Sequence, residues 1–430
     1  MESIIKQALN RNQMQEESAI SGANETLMSE QKQEAPRFKE QPQMIQQQER
    51  IVEQPQLVQK HEAKIDSDIV GAENIPIEEK TSIQDQKLEQ MLIENEAKIS
   101  VIGIGGMGSN AINRLSTIGI QGATTIALNT DIKHLKTISA DKRILIGAQL
   151  TRGLGAGGFP DVGKQAAEET ISNVKKEIGD ADMLFIVAGM GGGTGTGAAP
   201  TIAESAKQKG TIVIGVTTMP FKIEGSRMEK AEYGLNKLRQ SCDTVIVIEN
   251  DKLNHIAGNL PLEQAFAVGD ELIVTMIKGI TETISTPSLV NLDYADVKAI
   301  MKHGGVAMIG IAESTSKSRA EEAVKEAMQH PLLDVDYSTA TGALIHITGG
   351  HDMRLDEITT IGSYVQNRLD SSAQTVWGAR VEEGMEGKIQ VITIITGVNS
   401  PYILGPRAAK QEEAQKIGSM KNILNIDYVS

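Results

Sequence analysis

The chain has 430 residues, 40% of them apolar, enough for two or three domains with ordinary packed cores. Its formal charge of −14 argues against non-specific nucleic-acid binding, which depends on Lys and Arg neutralising phosphates, and points to nucleotides or proteins as partners. Cys242 is the only cysteine, so neither an intramolecular disulfide nor a cysteine-built zinc site can form, and a reducing cytoplasm is the expected compartment.

The opening "MESIIKQALNRNQMQEESAI" lacks the continuous apolar stretch of a secretory signal, and no later apolar run approaches the ~20 residues that span a bilayer. Residues 1–96 are rich in Gln and Glu, carry several prolines and few large apolar groups, and read as a disordered arm. Two pieces of it, "SIIKQALN" and "SIQDQKLEQMLIENEAK", have helical spacing.

From Lys98 the texture changes. "KISVIGIGG", "TTIALNTD", "KRILIGAQ", "ADMLFIVAGMGGG", "GTIVIGVTTMP" and "DTVIVIEN" are short apolar runs that end in turn-forming residues, and each reads as a buried strand. Helical segments such as "SNAINRLSTIG", "GKQAAEETISNVKKEIG", "TGAAPTIAESAKQKG" and "RMEKAEYGLNKLRQS" separate them. This alternation predicts an α/β fold with a parallel sheet covered on both faces. A long helix follows, roughly "LEQAFAVGDELIVTMIKGITETIS", and then a change of style. "GGVAMIGIAES", "TGALIHITGG" and "KIQVITIITGV" as strands, with "SRAEEAVKEAMQ" and "RLDEITTIGSYVQNRL" as helices, suggest a smaller α+β unit. The expected divisions are 1–96 for the arm, 97–285 for the nucleotide-binding domain with its long helix, 286–398 for the second domain, and 399–430 for a polar tail ending in "ILNIDYVS".

Two glycine-rich turns each follow a strand and open a helix: "GIGGMGSN", from Gly103 to Asn110, and Gly191 to Gly197. At the carboxyl ends of parallel strands, helix N-termini present bare N–H groups with partial positive charge, and phosphate is the natural guest. Glycine lets the backbone approach an oxyanion closely, and Thr194 and Thr196 add hydroxyl donors. "GIGGMG" also satisfies G-x-G-x-x-G, and Asp131 ends the next strand about where a dinucleotide fold places its ribose-binding acid. An NAD(P)-dependent oxidoreductase is therefore an alternative, although it does not require the second loop. No G-x-x-x-x-G-K-[ST] P-loop, H-E-x-x-H metal pair or G-x-S-x-G elbow occurs. His303, His346 and His351 read as turn or strand residues, and Trp377 as a packed or half-buried strand residue.

"GGGTGTGAAP" resembles the signature of the tubulin/FtsZ family of GTPases, its FtsZ branch in particular. "VIGIGGMGSNAINRL", "ALNTD", "LTRGLGAGGFPDVGKQAAEE", "VTTMPFKIEGSRM", "VIENDKL", "NLDYADVKAIM" and "TVWGARVEEGMEGKIQVITIITGV" resemble further FtsZ segments in the same order, over about residues 97–398. The resemblance implies that Gly105, Gly106, Met107, Gly108, Ser109 and Asn110 form the first nucleotide loop, with Met107 where many relatives have glycine. It implies that Asn129, Thr130 and Asp131 lie near phosphate and magnesium, that Gly153 to Gly158 report the γ-phosphate, and that Gly192, Gly193, Thr194, Gly195 and Thr196 belong to the main phosphate loop. Glu224 and Arg227 match a ribose and phosphate-side pair, and Asn250 and Asp270 match the guanine readers. Glu271 follows Asp270 where relatives often have another Asp, so either acid is a candidate for the base. A carboxylate suits guanine because it accepts from the N1–H and the exocyclic amine.

Asn291, Asp293 and Asp296 in "SLVNLDYADVKAIM" sit where a helix begins, with the two carboxylates on one face. From the residues alone, Asp293 reads as an N-cap and Asp296 as a first-turn acid. The resemblance implies instead a catalytic loop that enters the nucleotide pocket of a neighbouring copy. It further implies GTP/GDP as ligand, Mg²⁺ held by the phosphates with no direct protein ligand, and head-to-tail filaments acting at a division site near the membrane. A non-hydrolysing filament of the same family is the remaining alternative. The terminal octet has mixed apolar and acidic character, and the resemblance implies that it docks membrane-anchor or division proteins.

Overall fold

The structure is a computed structural model that describes residues 97–285, 289–290, 292–302, 305–329 and 337–398. The expectations made for the N-terminal arm, the C-terminal octet, Asn291 and His303 lie outside the described residues.

Strand β1 (Ile99–Ile104) is buried at every position, as a strand covered on both faces must be. It runs directly into α1 (Gly105–Ile118), followed by β2 (Ala123–Asn129), α2 (Ile132–Thr137), β3 (Lys142–Leu145), α3 (Pro160–Ile178) and β4 (Met183–Gly189). Then come α4 (Thr194–Lys207), β5 (Ile212–Met219), α5 (Ser226–Ser241), β6 (Thr244–Glu249), α6 (Asn250–Ala257) and the long α7 (Leu262–Ser285). Alternate strand side chains feed two cores. Ile102, Leu184 and Ile186 pack on one face of the sheet, and Val101, Phe185 and Val187 on the other. Helix α7 drives Leu272, Ile273, Met276, Ile277 and Ile280 into the second core.

The second half contributes α8 (Tyr294–Met301), β7 (Gly305–Ser314), α9 (Arg319–Met328), β8 (Gly342–Gly349), α10 (Leu355–Gln366), β9 (Gln374–Val381) and β10 (Ile389–Thr396). Its strands continue the first sheet, giving the order β3-β2-β1-β4-β5-β6-β7-β10-β8-β9. Strands β1 to β6 are parallel, and β6 pairs with β7 only from Thr244 to Ile246. Strand β10 runs antiparallel between β7 and β8, and β9 lies parallel to β8 at the sheet edge. Strand β9 carries Trp377, in line with its reading as a strand residue, and its segment "QTVWGARV" mixes polar, aromatic and glycine positions, which an edge strand tolerates.

Helix α7 is stitched to this second half by polar contacts inside the core. His346 on β8 is buried, with Nδ1 2.6 Å from Thr283 Oγ1 and Nε2 2.9 Å from Thr348 Oγ1. Burial and the nearby Arg380 guanidinium push its pKa down to about 4, so the ring is neutral and structural, in line with its reading as a strand residue. Glu282 on α7 pairs with Arg380 on β9.

Helices α3 and α4 approach so closely that side chains are excluded. A Cβ at Gly197 would stand 1.9 Å from the Pro160 carbonyl oxygen, and one at Gly163 2.3 Å from that of Gly193. This contact seats the start of α4 against the sheet.

Candidate nucleotide site

The carboxyl ends of β1, β4, β5 and β6 open onto a cleft of about 720 Å³, the position at which parallel α/β sheets bind ligands. Helix α1 begins at Gly105 and α4 at Thr194, so most of both glycine motifs forms helical first turns rather than loops. The helix-propensity cost of those glycines is outweighed by contacts that a side chain would forbid. A Cβ at Gly108 would stand 2.2 Å from the Val187 oxygen, and one at Gly195 2.6 Å from the Gly189 oxygen. Gly105 adopts φ +75° at the strand-to-helix corner. Met107, on the cleft wall, keeps the negative φ that its side chain requires.

Gly106 and Gly192 differ from these packing glycines. Both line the cleft, and a Cβ at either would meet nothing within 4 Å. Their backbone is open to a ligand, and the unpaired first-turn N–H groups of two helices face the same space. That combination suits the oxyanions of a nucleotide.

The threonine hydroxyls expected to serve the ligand have protein partners. Thr194 Oγ1 lies 2.7 Å from Thr130 Oγ1. Thr196 is buried off the cleft wall, where its Oγ1 accepts the Gly191 N–H at 2.9 Å and holds the loop from behind. Ser109 is also buried off the wall, so it shapes the first turn from inside. Asp131 is the N-cap of α2, accepting the N–H groups of Lys133 at 2.8 Å and His134 at 3.1 Å, and it does not line the cleft. The dinucleotide alternative thereby loses its ribose acid to helix capping.

Glu224 and Arg227 form an ion pair on the cleft wall, and Glu224 also accepts the Phe221 N–H at 2.9 Å. The short "EGSRM" turn brings the two side chains together.

At the other end of the cleft stand Asn250, the first residue of α6, and Asp270 in the third turn of α7. Packing separates the two adjacent acids. Glu271 is fully buried and paired with the Arg114 guanidinium of α1 at 2.7 Å, whereas Asp270 lines the cleft. Burial pushes the Asp270 carboxyl up to about 7; Arg114 pulls it down and Glu271 pushes it further up. Phe221 and Phe266 complete this end as an apolar wall, with ring centroids 5.9 Å apart and planes at 58°. Sequence reasoning missed both. The available signal was that Phe266 precedes Asp270 by four residues, and so shares its helix face, in a chain with only five phenylalanines.

The acidic pair lies elsewhere. Asp293 occupies the N-cap position of α8 but makes no side-chain capping bond, and both it and Asp296 are exposed. The Tyr294 hydroxyl between them donates to the Asp182 carbonyl at 2.9 Å. Asp182 precedes β4, whose far end at Gly189 forms part of the cleft. Seven residues of strand put roughly 20 Å between the carboxylates and the cleft of the same chain.

Comparison with known proteins identifies the family. The profile of the tubulin/FtsZ family GTPase domain matches residues 98–258, and that of the FtsZ family C-terminal domain matches residues 305–399. The chain belongs to the tubulin/FtsZ family of GTPases. Within the family it resembles archaeal FtsZ proteins. It is 53% identical over 346 residues to cell division protein FtsZ 2 of Methanocaldococcus jannaschii, spanning 78% of this chain and 90% of that one. It is 50% identical to cell division protein FtsZ 2 of Halobacterium salinarum, over 75% of this chain and 82% of the relative. A solved FtsZ dimer from M. jannaschii superimposes with a TM-score of 0.70 at 50% identity, covering 74% of this chain and 92% of that one.

Proposed function

We propose that the protein binds GTP in the cleft, stacks head to tail into filaments that act in cell division, and hydrolyses GTP at each junction between copies. The observation that carries this reading is the separation of the two half-sites. One end of the sheet offers an open glycine cradle and a base-sized wall, and the other offers two exposed carboxylates with no role in capping. Neither half can reach the other within one chain, but translation of a second copy along the strand direction superposes them. Such a contact is heterologous and grows without closing.

Exposed apolar groups support the same stacking. Ile223 on the cleft wall is 94% exposed and Leu154 near Asp131 is 78% exposed, while Leu289, just before the acidic loop, is 65% exposed. Large apolar side chains displayed at both ends of a molecule suit a buried interface. The related M. jannaschii protein was solved as a dimer, and the archaeal relatives carry cell-division names.

Phosphoryl transfer depends mainly on positioning and charge stabilisation. Asp293 and Asp296 of one copy orient and polarise the attacking water, with Asn291 as their support. Gly106, Gly192 and the first-turn N–H groups of α1 and α4 hold the phosphates, Glu224 and Arg227 flank them and the ribose, and Asn250 and Asp270 read the guanine. Mg²⁺ offsets charge on the phosphates it arrives with; among the described residues no group of three or more His, Cys, Asp or Glu side chains is arranged to hold a metal ion. Among the same residues no helix is long and apolar enough to cross a membrane, so the filament needs an anchor at the division site, and we assign that contact to the terminal octet.

The test is GTP turnover per molecule measured across protein concentration. A shared site gives specific activity that climbs from near zero and then levels off. A constant specific activity removes the junctional mechanism.

A further inference from the structure

The side chain of His134 belongs to none of the motifs above, yet it is the hub of a hydrogen-bond network beside the cleft. The network can be read in one direction without ambiguity. The Asp131 N–H donates to Asn129 Oδ1 at 3.2 Å, which fixes the orientation of the Asn129 amide. Asn129 Nδ2, a donor, therefore meets His134 Nδ1 at 3.0 Å, and Nδ1 must accept. The ring proton then sits on Nε2, which donates to Asn110 Oδ1 at 2.9 Å. With its oxygen taken, Asn110 is held with its NH₂ group uncommitted, and Asn110 lines the cleft.

We propose that His134 is a positioning residue for guanine recognition: it locks the Asn110 amide so that a donor, not an acceptor, confronts the base. The surrounding packing places that donor well. Arg114, one helical turn after Asn110 on α1, pairs with Glu271, the neighbour of Asp270 on α7, so the helices carrying Asn110 and Asp270 are clamped together and both residues line the same cleft. A donor next to a carboxylate is complementary to the guanine edge, whose O6 accepts while N1–H and the exocyclic amine donate. Adenine presents the reverse order. If Asn110 turned over, its oxygen would oppose O6, and the pair would lose its selectivity.

Asp131 gains a function by the same route. Its carboxylate accepts the backbone N–H of His134 while its own N–H orients Asn129, so it sets both sides of the imidazole without touching ligand. The effect on nucleotide passes from Asp131 through His134 to Asn110.

The inference rests on the GTP-binding reading, and a binding cycle keeps the two separable. GDP and ADP affinities are measured by calorimetry for the unaltered chain, H134F, H134Q, N110A and the H134F/N110A double variant. His134→Phe keeps the ring volume without donor or acceptor, and GDP affinity is expected to fall about tenfold, as for loss of one oriented hydrogen bond to the ligand. His134→Gln, which keeps an N–H near the Nε2 position, recovers most of that loss. In the N110A background, H134F causes no further loss, because its effect runs through the amide. The GDP-to-ADP preference shrinks in H134F and in N110A alike. Equal GDP binding by H134F and the unaltered chain overturns the proposal, as does an H134F effect that persists undiminished in N110A. If the unaltered chain itself fails to bind GDP, the reading of the cleft fails instead.

Discussion

The two ends of the sheet are built in opposite ways. Around the cleft the polar groups that support it are tied to structural partners: Thr196 holds Gly191, Asp131 caps α2, Glu224 ties Phe221 to Arg227, and Glu271 clamps α7 to α1. At the other end Asp293 and Asp296 are exposed and Asp293 caps nothing. A rigid receptor and a displayed acidic loop are what a shared site requires. The receptor must bind nucleotide before its partner arrives, whereas the loop has work to do only once docked. The difference also separates two kinds of residue: those whose loss harms binding and those whose loss harms turnover alone.

The sharpest break in that comparison is Asp293→Ala. Phosphate release should fall by about a hundredfold or more, in the range of a lost acid-base or water-orienting group, while calorimetry finds GDP affinity unchanged. Asp270→Ala should do the reverse, weakening GDP binding by roughly ten- to a hundredfold through loss of a charged hydrogen-bond acceptor. Equal effects of both variants on GDP binding would erase the distinction between the two ends.

A pH titration sharpens the picture of the receptor. In the nucleotide-free protein the Asp270 carboxyl is raised from 3.8 to about 7, so between those values the folded chain holds a proton that the unfolded chain has released. Its contribution to stability is complete below about pH 4 and is lost as pH rises through about 7. Denaturant midpoints at pH 5 and pH 8 should therefore differ less in Asp270→Asn than in the unaltered chain. Guanine needs the ionised carboxylate, so GDP affinity runs the other way and weakens below about pH 7. The smallest expected effect is that of Phe266→Ala, which removes one face of the base wall and should cost GDP affinity about fivefold.

Much of the receptor was legible before the fold was known. The apolar runs ending in glycine gave β1, β4 and their helices, the two glycine-rich turns pointed to Gly106 and Gly192, and the family resemblance added Asn110, Asn250 and Asp270, all of which line one cleft. Which glycine faces ligand and which merely permits packing was not legible. Gly106 and Gly108 look alike in sequence, and the Val187 carbonyl and Gly103 backbone packed against Gly108 tell them apart. The strand-end position of Asp131 suits a ribose acid in the dinucleotide alternative, a neighbour of phosphate and magnesium in the FtsZ resemblance, or a helix cap, and only the N–H groups it meets identify the cap. His134 was missed because its partners, Asn110 and Asn129, lie on two other elements. The continuation of one sheet through both halves of the chain is hidden for a similar reason, since the short pairing of β6 with β7 leaves no local signature.

A complementation measurement addresses the shared site most directly. Gly106→Phe fills the open phosphate end of the cleft but leaves Asp293 intact, while Asp293→Ala leaves the cleft intact. Each variant alone should be nearly inactive in GTP hydrolysis. Mixed at assembling concentrations, they should regain turnover, because an Asp293→Ala copy holding GTP can meet the acidic loop of a Gly106→Phe copy. A mixture no more active than its separate components, under conditions where the two co-assemble, would contradict a reaction centre divided between neighbours.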